Sequence, residues 1–175
     1  MLKTLLIIAV AAVGLLLAYA ATRPDSFRIE RSLRIEAPPE RIYALIDDLH
    51  RFNLWNPFLR KDPATQGIYS GTPSGKGARY AWQSDKVGVG QMEIVDTTAA
   101  SSVTMSLDFI TPFEAHNMAE FTLKPDANAT QVTWAMHGPV PFLSKLMQVF
   151  VSMDRMVGKD FEDGLSNLKT LAEAS

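Results

Sequence analysis

"EAPPERIYALIDDLHRFNLWNPF", Glu36 to Phe58, is where one periodicity stops and another begins. Just before it, "FRIERSLRIE" alternates. Phe27, Ile29, Leu33 and Ile35 share one face, while Arg28, Glu30, Ser32, Arg34 and Glu36 share the other. That is the period of a half-buried strand. Arg31 breaks the pattern on the apolar face, so it sits near the sheet end or reaches an acid such as Asp160 or Glu162. Pro39 suits the first position of a helix, where its missing N–H has no bond to lose. Ile42, Leu45 and Ile46 then form one apolar stripe. Asp48 is a good N-cap for a second short helix through Trp55, which Pro57 keeps from extending. The stretch therefore predicts a strand, two short helices and an aromatic-rich turn.

Downstream, turn signals separate short alternating segments. "GTPSGKG" precedes "ARYAWQ", "SDKVG" leads into "GQMEIV", and "DTTAASS" into "VTMSLDF". "ITPFEA" leads into "NMAEFTL", and "KPDANA" into "QVTWAMH". This spacing predicts an antiparallel meander. Pairing Leu123 with Val132 sets Phe121 opposite Trp134 and Ala119 opposite Met136. In the neighbouring hairpin Ile94 pairs with Val103 and Met92 with Met105. These registers keep each apolar face on one side. From Phe142 to Ala172 the period becomes helical. Leu143, Leu146, Phe150, Met153, Val157, Phe161, Leu165, Leu168 and Leu171 form one stripe, with Lys145, Gln148 and Arg155 on the other side. One long amphipathic helix is expected there, laid against a curved sheet.

Strand, two short helices, six-strand meander and long helix is an order that resembles the START-like, or SRPBCC, helix-grip proteins. The local likeness is to their polyketide cyclase/dehydrase-like branch. It is carried by "IERSLRIEAPPERIYALIDDLHRFNLWNPF", "YSGTPSGKGARYAW", "ITPFEAHNMAEFTL", "VTWAMHGP" and "SKLMQVFVSMDRMVGKDFEDGLSNLK". The resemblance implies an α+β helix-grip (START/Bet v 1-like) fold: a curved antiparallel sheet of about seven strands, two short helices and one long C-terminal helix. It also implies an apolar cavity between sheet and helix, and a role as lipid carrier or aromatic polyketide cyclase. The two short helices would close one end of that cleft, with Trp55 and Phe58 on its rim.

The totals agree with a single globular domain behind a separate N-terminal segment. Of 175 residues, 47% are hydrophobic and 21% charged, and the net charge is −2, which offers nucleic acid no basic surface. There is no cysteine, hence no disulfide, thiolate nucleophile or thiolate metal ligand. Residues 1–22 are the exception. "LLIIAVAAVGLLLAYAA", Leu5 to Ala21, is uncharged and would span roughly 25 Å as a helix. It reads either as a membrane anchor with the domain outside the cytoplasm, or as a secretory signal cleaved after Ala20 in the A-x-A pattern of Ala18-Tyr19-Ala20. Residues 23–26 form a linker, and residues 27–175 the helix-grip domain.

The inward-facing series mixes large aromatics with small residues (Gly88, Gly90, Ala119) and methionines. Small residues leave room and Met adapts to shape, a composition suited to an apolar ligand pocket. The expected ligand-binding set is Trp55, Tyr80, Trp82, Met92, Met105, Asn117, Trp134, Met136, Phe150 and Met153. Asn117 is the one polar member of its inward series; it orients a ligand or bonds a turn. Gly158 and Gly164, inside the long helix, allow a bend or close approach to the sheet. No catalytic residue, metal ligand or cofactor is assigned. His50 falls on a polar helix turn, and His116, Glu120 and His137 share an outward face. No nucleophile triad, zinc-binding helix or phosphate-binding loop is present. The expected partners are an apolar small molecule or lipid and, through the N-terminal helix, a membrane. The alternatives are a cyclase/dehydratase-type enzyme and a protein-interaction module with a vestigial cavity.

Overall fold

A computed structural model of the chain describes residues 2–149 and 152–174. The N-terminal helix α1 (Leu2–Ala21) leads into strand β1 (Ser26–Ile35). Three short helices follow: α2 (Pro39–Ile46), α3 (Leu49–Trp55) and α4 (Pro57–Lys61). The meander is β2 (Gln66–Gly71), β3 (Ala78–Ser84), β4 (Gly88–Thr98), β5 (Ser102–Thr111), β6 (Ala115–Asp126) and β7 (Ala129–Pro139). Helices α5 (Phe142–Gln148) and α6 (Met153–Glu173) complete the chain.

The seven strands form one antiparallel sheet in the order β1-β7-β6-β5-β4-β3-β2. Each meander strand pairs with its neighbour in sequence, and β1 closes the far side against β7. This is the expected α+β helix-grip architecture. Helix α6 packs mainly on β1, and α2 fits between α6 and the sheet. Ile35, Ile42, Ile46, Leu165 and Leu168 are fully buried at that junction. Burying each such side chain is worth about 1.5–3 kcal/mol.

The caps follow the sequence reading and add one element to it. The Asp48 carboxylate accepts from His50 N at 2.9 Å and Arg51 N at 3.4 Å, starting α3. Pro57 does end α3, but it also begins α4, a third short helix that the periodicity did not show. There it occupies the first helical position, and Asn56 caps by accepting from Phe58 N at 3.1 Å.

Two other expectations are corrected. The C-terminal stripe is carried by two helices rather than one. Ser152 caps α6, its hydroxyl accepting from Arg155 N at 3.4 Å. In α5 the stripe does not reach the core: Leu143 is exposed, as are Phe142 and Met147, and Leu146 is half-buried, while Lys145 is buried with its ammonium against Asp25. The reason is that α5 packs on α1, not on the sheet. The β4–β5 register also differs. Ile94 pairs with Met105 and Met92 with Leu107, while Val103 lies opposite Thr97. A bulge between Ile94 and Asp96 absorbs the extra residue, and Ala100, at φ 55°, tightens the turn. The β6–β7 register is as expected. Arg31 holds Glu162, as expected, together with Asp154 at 2.9 Å; Asp160 is engaged elsewhere.

Candidate functional site

The concave face of β3–β7, the flank of α6 and the turn from α3 to α4 enclose a cavity of about 340 Å³. Tyr80, Trp82 and Met92 line it from β3 and β4; Met105, Leu107 and Phe109 from β5. Ala119, Phe121, Trp134 and Met136 line it from β6 and β7. Phe52, Phe58 and Leu59 close one side, and Val157 and Phe161 form the helical wall. The period of two explains the sheet contribution, since alternate residues of each strand face the same side. The interior is therefore almost wholly apolar.

Polar groups gather at one end. Lys61, Thr65, Lys86 and Asp160 are on the lining, and Lys61 and Lys86 are exposed. The Lys61 ammonium lies 2.7 Å from Asp160 Oδ2, joining α4 to α6 across the opening. It also lies 5.1 Å from the centre of the Phe58 ring. Beside the opening, the buried Asp62 accepts from Ser84 Oγ at 2.6 Å and from Ala64 N at 3.1 Å. The Ser84 hydroxyl holds the Asp62 carboxyl below its usual range, and the Ala64 N–H adds to the effect. This bond ties the approach to β2 to the β3–β4 turn.

Trp134 is central to the packing. Its ring stacks on Phe161 with centroids 4.1 Å apart, and Trp55 meets it edge-on at 5.6 Å. Its indole Nε1 is buried with no acceptor among the described residues. An unsatisfied buried donor costs about 1–3 kcal/mol, which a ligand or water oxygen reaching it would relieve. Burial, together with the neighbouring Tyr69, pushes the Tyr80 phenol up.

Six of the expected site residues come together on the cavity wall: Tyr80, Trp82, Met92, Met105, Trp134 and Met136. Trp55 does not stand on the rim. It is fully buried behind the wall, its indole N–H donating to Leu45 O at 2.8 Å. Phe58 takes the rim position. Asn117 is buried beside Gly138, off the lining, and Met153 packs half-buried against the core without reaching it. Phe150 lies outside the described residues. Gly90 faces inward but leaves no free space, because the Trp82 ring lies over it. Lys61 and Lys86 were not singled out, and Asp160 was named only as an acid for Arg31. Lys86 sits in a turn signal and the other two in polar helical positions, and only folding brings them to one opening.

The histidines are engaged outside the cavity. His116 Nδ1 is 2.8 Å from Asp108, directly across β5–β6, and Nε2 is 3.4 Å from Glu114. Asp108 first, then Glu114, raises its pKa. His137 Nε2 is 3.1 Å from Glu120, which also binds Arg28 at 3.1 Å; the two partners hold the Glu120 carboxyl low. His50 stacks on Tyr69 at 3.7 Å. Among the described residues, no cluster of three His, Asp or Glu side chains is placed to hold a metal.

The family described as polyketide cyclase / dehydrase and lipid transport matches residues 26–173, which is the whole sheet and both C-terminal helices. The chain belongs to that family. Solved structures carry the same fold. CV1439 from Chromobacterium violaceum shares 14% identity at a TM-score of 0.60, over 87% of this chain and all of that one. Ara h 8.0201 shares 11% at 0.58, over 84% of this chain and 97% of that one. DynU16, from the dynemicin biosynthetic locus, shares 15% at 0.60, over 87% of this chain and 48% of that one. Identities this low speak for the fold alone. No curated protein matches the chain. As a member of the polyketide cyclase/dehydrase and lipid transport family, the domain is of a ligand-binding or cyclase type.

Proposed function

We propose that this protein binds a lipid or other apolar small molecule in the cavity between sheet and α6, and that α1 holds the domain at a membrane. The observation that carries the proposal is the cavity itself. Its walls are aromatic, methionine and aliphatic, and its charged groups stand at one opening. That arrangement suits an apolar body inserted lengthwise with any polar end left at the mouth. The family's description includes lipid transport, which agrees with this reading. The cyclase-type alternative needs an acid or base at the substrate. On the lining, Asp160 is already paired with Lys61, and Tyr80 is kept in its neutral form, which disfavours both as a base.

Tethering rests on α1, which is long and apolar enough to cross a bilayer. Its packing supports a helix that stays attached: Ala20 is fully buried, and α1 lies against α5.

The test is purification of the full chain from its own host in mild detergent, followed by native mass spectrometry. A co-purifying apolar molecule, displaced by an apolar fluorescent probe, is the expected result. A chain that carries no ligand and binds no such probe overturns the proposal.

A further inference from the structure

The sheet has two ends, and its pairings sort every connection between them. Ser26 pairs with Pro139, Phe109 with Ala115, Val89 with Thr111, Ser84 with Gly88 and Gln66 with Gln83. One end therefore gathers the exit from α1, the entry to α5, the turn at Pro112–Glu114, the β3–β4 turn and the approach to β2. The other end carries the exit from β1, the β2–β3 turn and the turns around Ala100 and Ala127.

The cavity opens at the first end. Lys61 and Thr65 precede β2, while Lys86 and Val87 lie in the β3–β4 turn. Asp160 comes from the first half of α6.

The same end is apolar on its outside. Beyond α1, eight large apolar side chains are exposed among the described residues. Five of them are here: Ile110 and Phe113 at the β5–β6 turn, and Phe142, Leu143 and Met147 on α5. Phe113 is 65% exposed and Leu143 64%. Helix α5 packs against α1, so its bare apolar side chains adjoin a helix that is itself apolar all round. One turn and a helix bearing exposed aromatic and aliphatic residues, with Lys86 and the Asp160-paired Lys61 at the neighbouring opening, match the layered chemistry of a bilayer surface. On such a surface apolar groups reach the acyl boundary and an exposed ammonium such as that of Lys86 stays among the headgroups.

We infer that the mouth end of the domain docks onto the lipid bilayer that holds α1, so that the cavity exchanges ligand with the membrane directly. The inference rests on the proposed tethering and adds the face presented to the lipid. Phe113 and the Phe142–Met147 face enter the headgroup boundary. Lys61 and Lys86 sit at the lipid–cavity junction, and the turns at Ala100 and Ala127 point away.

The chain has no cysteine, so single labels can be placed without removing any. The full chain is reconstituted in vesicles containing an anionic phospholipid and lipids with a spin-labelled acyl chain near the headgroup. Phe113→Cys, Leu143→Cys, Asn128→Cys and Leu15→Cys each carry an environment-sensitive fluorophore. The expected result is a blue shift and loss of emission at positions 113, 143 and 15, with neither at 128. Phe113→Ser with the label at 143, and Leu143→Ser with the label at 113, should weaken the quenching without releasing the chain. Quenching at 15 but not at 113 or 143 overturns the docking and leaves the tether standing. Absence of quenching at all positions overturns both. Neither outcome bears on the cavity, which soluble probe binding reports separately.

Discussion

Gly164 of α6 faces the ring of Trp134 so closely that a Cβ there would lie 2.6 Å from Cζ3, and 3.1 Å from Pro57 Cδ. The missing side chain lets the helix, the β7 indole and the start of α4 meet at one point. Glycine inside a helix costs about 1 kcal/mol relative to alanine. Here overpacking outweighs that gain, because the ring is held between Phe161 and Trp55. Gly164→Ala should destabilise the domain by about 1–2 kcal/mol, read as a lower denaturant midpoint. Gly158→Ala is the comparison. Its Cβ would meet the guanidinium end of Arg31, whose solvent-facing pairs with Asp154 and Glu162 must shift. That small loss is offset by the helix propensity of alanine, so a change near zero is expected. Equal midpoints for the two variants would refute the account of Gly164.

Cavity filling separates empty space from packed core. Ala119 lines the cavity, whereas Gly90 lies under the Trp82 ring with Asp108 O only 2.6 Å from a Cβ placed there. Ala119→Leu should cost less than the roughly 1–3 kcal/mol of overpacking a filled core and abolish binding of an apolar fluorescent probe. Gly90→Leu should cost about 1–3 kcal/mol, the usual penalty of overpacking. Chemical denaturation and probe titration check both. Strong destabilisation by Ala119→Leu would mean that the cavity is too small to hold a ligand.

Trp55 offers a test of the aromatic floor. Its indole N–H is the donor to Leu45 O, joining α3 to α2. Trp55→Phe removes the donor, shrinks the ring and leaves a buried carbonyl unpaired. A loss of about 1–3 kcal/mol is expected, with the probe site weakened less than the fold. Unchanged thermal stability would count against this role.

Two groups give opposite pH dependences. Asp108 and Glu114 raise the His116 pKa. That contribution is fully present below the unfolded histidine value and is lost as pH rises through the folded one. Asp62 is held low by Ser84. Its contribution is present above the unfolded carboxylate value and is lost as pH falls through the folded one. Proton NMR titration should show His116 titrating above its ordinary value, and lower after Asp108→Asn. Acid titration of Ser84→Ala should show less of the low-pH loss than the wild type. A His116 titration unmoved by Asp108→Asn would break the first assignment.

Much of the fold was legible in the residues themselves. Alternation in Phe27–Ile35 marked β1, and Asp48, Pro39 and Pro57 marked helix boundaries. The small-turn signals divided the meander, and the Leu123–Val132 pairing phased β6 on β7. Such features are local: backbone sterics, capping and a side-chain period act within a few residues. Apolar facing also identified six of the cavity residues, because one face of each strand must be buried.

What the tertiary structure decided is where two elements compete for the same surface. The stripe from Leu143 to Leu171 has one period, yet α6 faces the sheet and α5 faces α1. Periodicity shows that a face is apolar and cannot name its partner. Trp55 and Phe58 are both large aromatics beside one turn, and only the added turn of α4 puts the first in the floor and the second on the rim. Gly90 looked like space until Trp82 crossed the strand pair to fill it. Lys61, Lys86 and Asp160 are ordinary surface charges in sequence, separated by 25 and 74 residues. They share one opening because strand ends and the first half of α6 converge there, and such convergence is a property of the closed chain.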